Sequence, residues 1–320
     1  MGWKEKNVLL TGATGLLGGH VAQRLVQEGA NVVALIRDEV PSCYLYLEGA
    51  NKKISSVRGS LEDYSLVERA MNEYEIETCL HLGAQAIVET ANRSPLSTFE
   101  ANIKGTWNVL EAARNSRLLR SLVVASTDKA YGESNTLPYK ETDSLAASHP
   151  YDVSKACADM LCSSYFHTYG LAVGITRCGN IFGGGDLNFN RIMPGTIRSL
   201  LQNVRPTIRS DGKMVRDYVY VEDVVDANLL LAQALLSGKQ KGEAFNFSYE
   251  QPKSVLETVE KIKNAMGSSL EPLILNEATN EIPEQYLSSQ KARRLLQWSP
   301  KWDFDAGLKK TIEWYKKRLA

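Results

Sequence analysis

Thr11-Gly12-Ala13-Thr14-Gly15-Leu16-Leu17-Gly18 is the stretch that decides the fold. It follows the apolar run Val8–Thr11, read as the first strand, and opens an amphipathic stretch to about Glu28, read as the first helix. Glycines between strand and helix let the backbone turn sharply, approach a pyrophosphate and pack the helix against the sheet. The phosphates then gain from free N–H groups and the positive end of the helix. A purely structural tight turn uses glycine too, but this placement favours a dinucleotide. Gly12, Thr14, Gly15, Leu16, Leu17 and Gly18 are therefore the cofactor-binding candidates, with NAD(P) as the cofactor.

Outward from the loop, short β-branched runs alternate with longer amphipathic ones, the pattern of βαβ units around a parallel sheet. Strands are expected at Asn31–Ile36, Ile54–Arg58, Thr78–Leu82, Ser121–Ser126 and Ala172–Arg177, and helices at Ser65–Tyr74, Pro95–Asn115 and Pro150–Tyr169. After Gly183 the elements shorten and are interrupted by glycine, proline and asparagine. The reading is α/β: a Rossmann-type doubly wound parallel sheet over residues 1–180, then a smaller, discontinuous C-terminal substrate-binding region over 181–320. The chain crosses back between the two. Leu308–Tyr315 reads as an amphipathic closing helix.

Composition narrows the function. Lysine plus arginine (37) equal aspartate plus glutamate (37), so no global field favours nucleic acid or an anionic membrane. An anionic ligand must then be held locally. Val8–Leu10 is too short for a signal peptide or a membrane span, and Lys6 stands where a myristoylation motif wants Ser or Thr. Five scattered cysteines without C-x-x-C spacing argue against a disulfide framework or a metal site. The expectation is a cytoplasmic protein with reduced thiols and no metal.

Tyr151-Asp152-Val153-Ser154-Lys155 opens a helix, and four residues are about one turn, so Tyr151 and Lys155 point the same way. A phenol with its ordinary pKa of about 10 is a poor base at neutral pH. A nearby ammonium and an oxidised nicotinamide stabilise the phenolate, making proton removal from an alcohol feasible. Alone, Y-x-x-x-K also describes a surface helix pair; behind a glycine loop it is a catalytic candidate that also holds cofactor. Ser126-Thr127-Asp128-Lys129 ends the strand Ser121–Ser126, where ligands of open α/β sheets sit. Its plain reading is a turn with solvated charges. Its sharper reading is an acid and a base side by side, with Thr127, Asp128 and Lys129 all catalytic.

The G-x-x-G-x-x-G spacing resembles that of the short-chain dehydrogenase/reductase superfamily, and the 320-residue length resembles its extended branch. That resemblance implies that Asp63 contacts the adenine, though Asp63 equally suits a helix N-cap. It also implies that Leu82, Ala84 and Gln85, in His81-Leu82-Gly83-Ala84-Gln85, lie near the nicotinamide ribose and the substrate. At the end of strand two stands Ile36-Arg37-Asp38: arginine suits a 2′-phosphate, a carboxylate the free ribose hydroxyls. The run resembles that of GDP-mannose dehydratases, so Arg37 tips the reading slightly to NADP, while Asp38 or a solvated Arg37 keeps NAD open.

Thr127-Asp128-Lys129 resembles the Asp-Lys pair of CDP-glucose 4,6-dehydratases and of inverting UDP-N-acetylglucosamine 4,6-dehydratases. It departs from the Thr-Asp-Glu triplet of thymidine-diphosphoglucose dehydratases. By that resemblance Asp128 is the acid for the C6 hydroxyl and Lys129 the C5 base. Arg177-Cys178-Gly179-Asn180-Ile181-Phe182-Gly183-Gly184-Gly185-Asp186 resembles the R-x-G-N-x-x-G-G-G-D-W stretch of CDP-glucose 4,6-dehydratases, with Leu187 in place of the tryptophan. Asn180 is then a substrate ligand or else a turn-stabilising amide, and Arg191 fits the same motif. Arg209 and Arg216, flanking Asp211-Gly212, read as phosphate clamps; the family motif favours Arg216, and Arg209 is as well read as a solvated strand residue. The stretches Glu284–Ser288 and Trp298–Trp302 also resemble this subgroup, with their aromatics read as packing.

The resulting expectation is a nucleotide-sugar 4,6-dehydratase, an NAD(P)-dependent lyase. Alternatives are a dehydratase of a GDP- or UDP-linked sugar, or a 4-epimerase, which needs Thr127, Tyr151 and Lys155 but not Asp128 and Lys129. A cofactor-sensing scaffold is the non-enzymatic reading. Helices Pro95–Asn115 and Pro150–Tyr169 are expected to pair with their copies in a homodimer.

Overall fold

The computed structural model describes residues 2–277 and 282–319. Six strands form where the apolar runs put them: β1 (Asn7–Thr11), β2 (Asn31–Ile36), β3 (Ser55–Arg58), β4 (Thr78–His81), β5 (Ser121–Ala125) and β6 (Val173–Cys178). A seventh, β7 (Ala244–Phe247), completes the sheet in the order β7-β6-β5-β4-β1-β2-β3. Every neighbouring pair is parallel. The order reverses at β1, and the crevice beyond β1 and β4 is where such sheets bind ligands.

The strand β1 is apolar without alternation because both its faces are covered. Val8 and Leu10 enter one core with Val21, Leu25, Leu231 and Leu235, while Leu9 enters the other with Val67, Met71, Val109 and Leu110. Helices Leu16–Gln27 and Val221–Leu236 therefore cover one face, and Tyr64–Glu73, Gly105–Asn115 and Pro150–Tyr169 the other. Of the seven strands of this sheet, β7 alone escaped the sequence pattern. Its four residues, Ala-Phe-Asn-Phe, are too few to show a period, and buried Asn246 interrupts them. That asparagine is paid for by its contacts: its Nδ2 donates to Tyr139 O at 3.1 Å and its N–H to Glu141 at 2.8 Å.

The stretch read as one helix over Pro95–Asn115 is α-helical over Pro95–Phe99 and Gly105–Asn115 but passes through a π-turn at Glu100–Lys104. Such turns recur at functional sites. The next helix, Pro150–Tyr169, starts with proline at its first position, where the missing N–H costs nothing, and ends on Gly170 at φ 68°. Leu96, Trp107 and Met160 stand exposed on these elements.

Beyond β6 the chain makes small sheets over the carboxyl edge. Asn180–Phe182 pairs with Tyr218–Tyr220, and Val215–Arg216 lies between Lys253–Ser254 and Glu284–Gln285. Trp298 is buried edge-on against Phe247, with ring centroids 5.2 Å apart, and its Nε1 donates to Asp223 O at 3.1 Å. All five cysteines are free, and burial pushes the Cys79, Cys162 and Cys178 thiols up. Among the described residues no helix is long and apolar enough to cross a membrane.

Candidate active site

The glycine loop leaves β1 at Thr11 and enters its helix at Leu16. Gly12 has φ +75°, and a Cβ there would lie 2.7 Å from Gly83 N; one on Gly18 would lie 2.0 Å from Gly12 O. Only glycine satisfies both, so the helix is pressed against the loop and the loop against the β4 turn. Gly15 is the N-cap without a side-chain cap, and the first turn carries no acidic residue. Those N–H groups need an acceptor. The cradle fits a pyrophosphate, and Leu16 and Leu17 pack on the core. Arg37, just past β2, is exposed and donates to Asp38 at 2.6 Å. Asp63 caps the Tyr64–Glu73 helix, accepting from Leu66 N at 3.1 Å.

After β4, Leu82 and Gly83 border Gly12, with Ala84 next along the turn, and a buried polar chain runs from there to the Pro150–Tyr169 helix. His81 Nδ1 and Thr11 Oγ1 are 2.8 Å apart, His81 Nε2 and Thr106 Oγ1 3.1 Å. Burial, aided by the Lys155 charge, pulls His81 down to about 3, so its imidazole is neutral. From the π-turn, Asn102 accepts from Gln85 N at 2.7 Å and donates to Gln85 O at 3.1 Å and Ser154 Oγ at 2.8 Å. Ser154 Oγ in turn donates to Tyr151 O at 2.6 Å. Asn102 and Ser154 carry no local signature: their partners are 17 and 52 positions away, which spacing rules cannot see. The side-chain carbonyl of Gln85 accepts from Ile87 N at 2.9 Å, holding the turn itself.

Tyr151 and Lys155 rise from the first turns of the Pro150–Tyr169 helix. The Tyr151 and Thr127 hydroxyls lie close to each other. Burial pushes Tyr151 up to about 12, with the Arg191 charge acting against it, so the phenol is neutral at neutral pH until a further positive charge arrives. Lys155 is buried, which brings its ammonium down to about 8 although Asp159 opposes the shift. Thr127 Oγ1 donates to Asp128 Oδ1 at 2.9 Å, and both residues are buried. Lys129, half-buried on the same turn, donates to Gln285 Oε1 at 3.1 Å. From behind, Arg177 braces this turn. It forms a bidentate buried pair with Asp159 at 2.8 Å, donates to Tyr131 Oη at 2.8 Å and lies over the Tyr131 ring.

Thr127, Asp128, Lys129, Tyr151 and Lys155 are thus gathered at the carboxyl edge of β5. The substrate-side candidates are spread more widely. Asn180 donates its N–H to Asp217 O at 2.7 Å and begins the strand that starts above the site. Arg191 pairs with Asp186 at 3.1 Å and is close enough to act on Tyr151. Arg209 lies on the rim, bonded to Glu89 and to Asn190. Arg216 is buried and donates to Val215 O and Pro283 O. Asp217, which sequence reasoning passed over, is also buried: Ser248 Oγ and Leu287 N donate to its Oδ2, and its Oδ1 finds no partner among the described residues. Burial pushes Asp217 up to about 7, with Asp128 adding to the shift.

A doubly wound parallel sheet with an uncapped glycine loop and a Tyr–Lys pair at its carboxyl edge defines a dinucleotide-binding α/β protein. More narrowly, the chain belongs to the NAD-dependent epimerase/dehydratase family, whose model matches residues 8–247. It is similar to the trifunctional UDP-glucose 4,6-dehydratase/UDP-4-keto-6-deoxy-D-glucose 3,5-epimerase/UDP-4-keto-L-rhamnose-reductase of Arabidopsis thaliana, at 29% identity over 98% of this chain. The chain spans about half that relative's length, 48% of it. It is similar over nearly full length to the CDP-glucose 4,6-dehydratase of Salmonella typhimurium, at 27% identity over 98% of this chain and 91% of the relative. Among solved structures, the UDP-glucose 4-epimerase of Thermotoga maritima with UDP-glucose superposes with a TM-score of 0.90 and 29% identity, covering 98% of this chain and 100% of that one.

Proposed function

We propose that the protein is a nucleotide-sugar 4,6-dehydratase, nearest to the CDP-glucose type. The observation that carries this reading is the Thr127–Asp128–Lys129 turn: a buried carboxyl and an amine set beside the Tyr151–Lys155 pair. A 4-epimerase has no use for that pair, and retaining a buried carboxyl without one is costly.

A bound nicotinamide in its oxidised form would supply the positive charge that Tyr151 lacks and the capacity to take a hydride from C4. Gly12, Gly15 and Gly18 would hold its pyrophosphate, Asp63 its adenine, and Leu82 and Ala84 its nicotinamide ribose. Tyr151 takes the C4 hydroxyl proton while Lys155 steadies its phenolate and Thr127 orients the sugar oxygen. The ketone formed at C4 acidifies C5. Lys129 removes the C5 proton and Asp128 protonates the C6 hydroxyl, which leaves as water. The hydride lost from C4 returns to C6 and a proton to C5, so the net change is loss of one water. Asn180, Arg191 and Arg216 orient the sugar diphosphate, Gln85 borders the sugar, and Arg209 clamps from the rim after exchanging Glu89 for phosphate.

Incubation with CDP-glucose, UDP-glucose, UDP-N-acetylglucosamine, GDP-mannose and dTDP-glucose, one at a time, tests the reading by product mass. Loss of one water without net cofactor reduction is expected from at least one of them. An unchanged mass with a C4 epimer would sink it in favour of an epimerase.

The cofactor reading leans to NADP. The last residue of β2 is the buried, apolar Ile36, and the first beyond it is exposed Arg37, whose guanidinium is available to a 2′-phosphate if Asp38 yields. Titration of the protein with NADP and NAD should show tighter binding of NADP, and Arg37→Ala should remove the difference. Equal affinities in the unaltered protein would reject the preference. The protein is further read as a homodimer through the exposed Leu96, Trp107 and Met160.

A further inference from the structure

Lys129 does not stand alone at the end of its turn. Its ammonium is met by the side chain of Gln285, a residue 156 positions later and fully buried. Gln285 belongs to the two-residue strand Glu284–Gln285, which runs parallel to Val215–Arg216 with Gln285 opposite Arg216. The residues just after it are pinned too. Tyr139 N donates to Tyr286 O at 3.0 Å, Ser288 N to Tyr139 O at 2.9 Å, and Leu287 N to Asp217 at 3.2 Å. Gln285 also lies against the Tyr139 hydroxyl, which is committed to Gly132 O. Its Nε2 has no hydrogen bond among the described residues. The C-terminal segment is thus clamped beneath the catalytic turn, and the side chain it presents there is an uncharged acceptor.

We infer that Gln285 is the positioning residue of Lys129, an amide that fixes the amine toward the sugar's C5 without adding a negative charge beside it. The inference rests on the dehydratase reading for what Lys129 does, but the contact itself does not. An ammonium must be held by an acceptor if its long, flexible stem is to keep one position. A carboxylate there would favour the protonated amine and blunt a base, whereas an amide carbonyl holds it more weakly. Carboxylates are already close: Asp128 on the same turn, and Asp152 with His149 at the start of the catalytic helix. Beyond Asp128 lie Asp217 and, next to Tyr139, Arg216. The neutral Gln285 completes this shell on the one side where another carboxylate would tip the balance.

Two variants test the inference: Gln285→Leu, which removes the acceptor, and Gln285→Glu, which keeps its shape and adds a charge. Both should bind dinucleotide as the unaltered protein does. Gln285→Leu is expected to slow water loss by up to about a hundredfold, the cost of a misplacement of ~1 Å, with KM little changed. C4 oxidation, read as transient absorbance of reduced cofactor in a single turnover, should persist. Gln285→Glu should move the acidic limb of the pH–kcat profile to higher pH and recover much of its rate there. A second readout needs no turnover: acetylation of Lys129 as a function of pH, followed by peptide mass spectrometry. Its midpoint should fall in Gln285→Leu and rise in Gln285→Glu. A protein that dehydrates no sugar nucleotide refutes the dehydratase reading and leaves this labelling test in force. An unchanged labelling midpoint in both variants overturns the role given to Gln285.

Discussion

The two halves of the proposed catalytic cluster are built in opposite ways. Tyr151 and Lys155 share one helix, one turn apart, and their geometry follows from the period of that helix. Asp128 and Lys129 are neighbours in sequence; the adjacent Thr127 holds Asp128, but Lys129 is met by Gln285 from far along the chain, and Arg177 braces Tyr131 behind. The proposed redox half is local. The proposed acid–base half is assembled by tertiary structure.

Separating the halves gives the largest effects. Tyr151→Phe should remove both half-reactions, with kcat lowered by roughly 10³-fold or more, since it deletes the hydroxyl proposed to take the C4 proton. Asp128→Asn should lower water loss by roughly 10²–10⁴-fold and leave C4 oxidation detectable as transiently reduced cofactor. If both variants lose C4 oxidation equally, the halves are not separable and the comparison fails.

The same contrast explains what could be read from the sequence. The strands β1 to β6, the glycine loop and the Tyr–Lys pair are local patterns, set by periods of two and 3.6 and by glycine where a Cβ would collide. Asn102, Asp217, Gln285 and β7 are not local. A buried asparagine looks like any loop asparagine until its partners at Gln85 and Ser154 are known. Two-residue strands such as Glu284–Gln285 have no period at all. The arginines illustrate the middle ground: their charge was visible in the sequence, but not that Arg209 pairs with Glu89, nor that Arg216 spends donors on backbone carbonyls.

Arg177 lies where the halves meet, joining Asp159 on the catalytic helix to Tyr131 on the catalytic turn. Arg177→Met keeps the length of the stem but leaves the buried Asp159 carboxylate unpaired. That should cost about 3–5 kcal/mol, measured as a fall in the urea midpoint. Arg177→Met with Asp159→Leu restores an uncharged interior and should recover much of the loss. A double variant no more stable than the single one would show that the pair's worth lies in the hydrogen bond to Tyr131.

The smallest effect sharpens the comparison most, because it concerns charge alone. Asp217 is buried with one oxygen that finds no partner among the described residues, and burial pushes it up to about 7. Between its ordinary carboxylate value of 3.8 and about 7, the folded protein keeps a proton that the unfolded chain gives up. Stability must therefore fall as pH rises through that window, by at most roughly 1.4 kcal/mol per pH unit from this group, and level off above it. Asp217→Asn keeps an acceptor for Ser248 and Leu287 but cannot ionise. Its stability relative to the unaltered protein should rise steadily between pH 4 and pH 7 and then stay constant, as read from urea midpoints across that range. A difference that does not vary with pH would mean that Asp217 stays charged throughout, in which case a second negative charge faces Asp128 and the acid–base half runs on a different protonation balance from the one argued above.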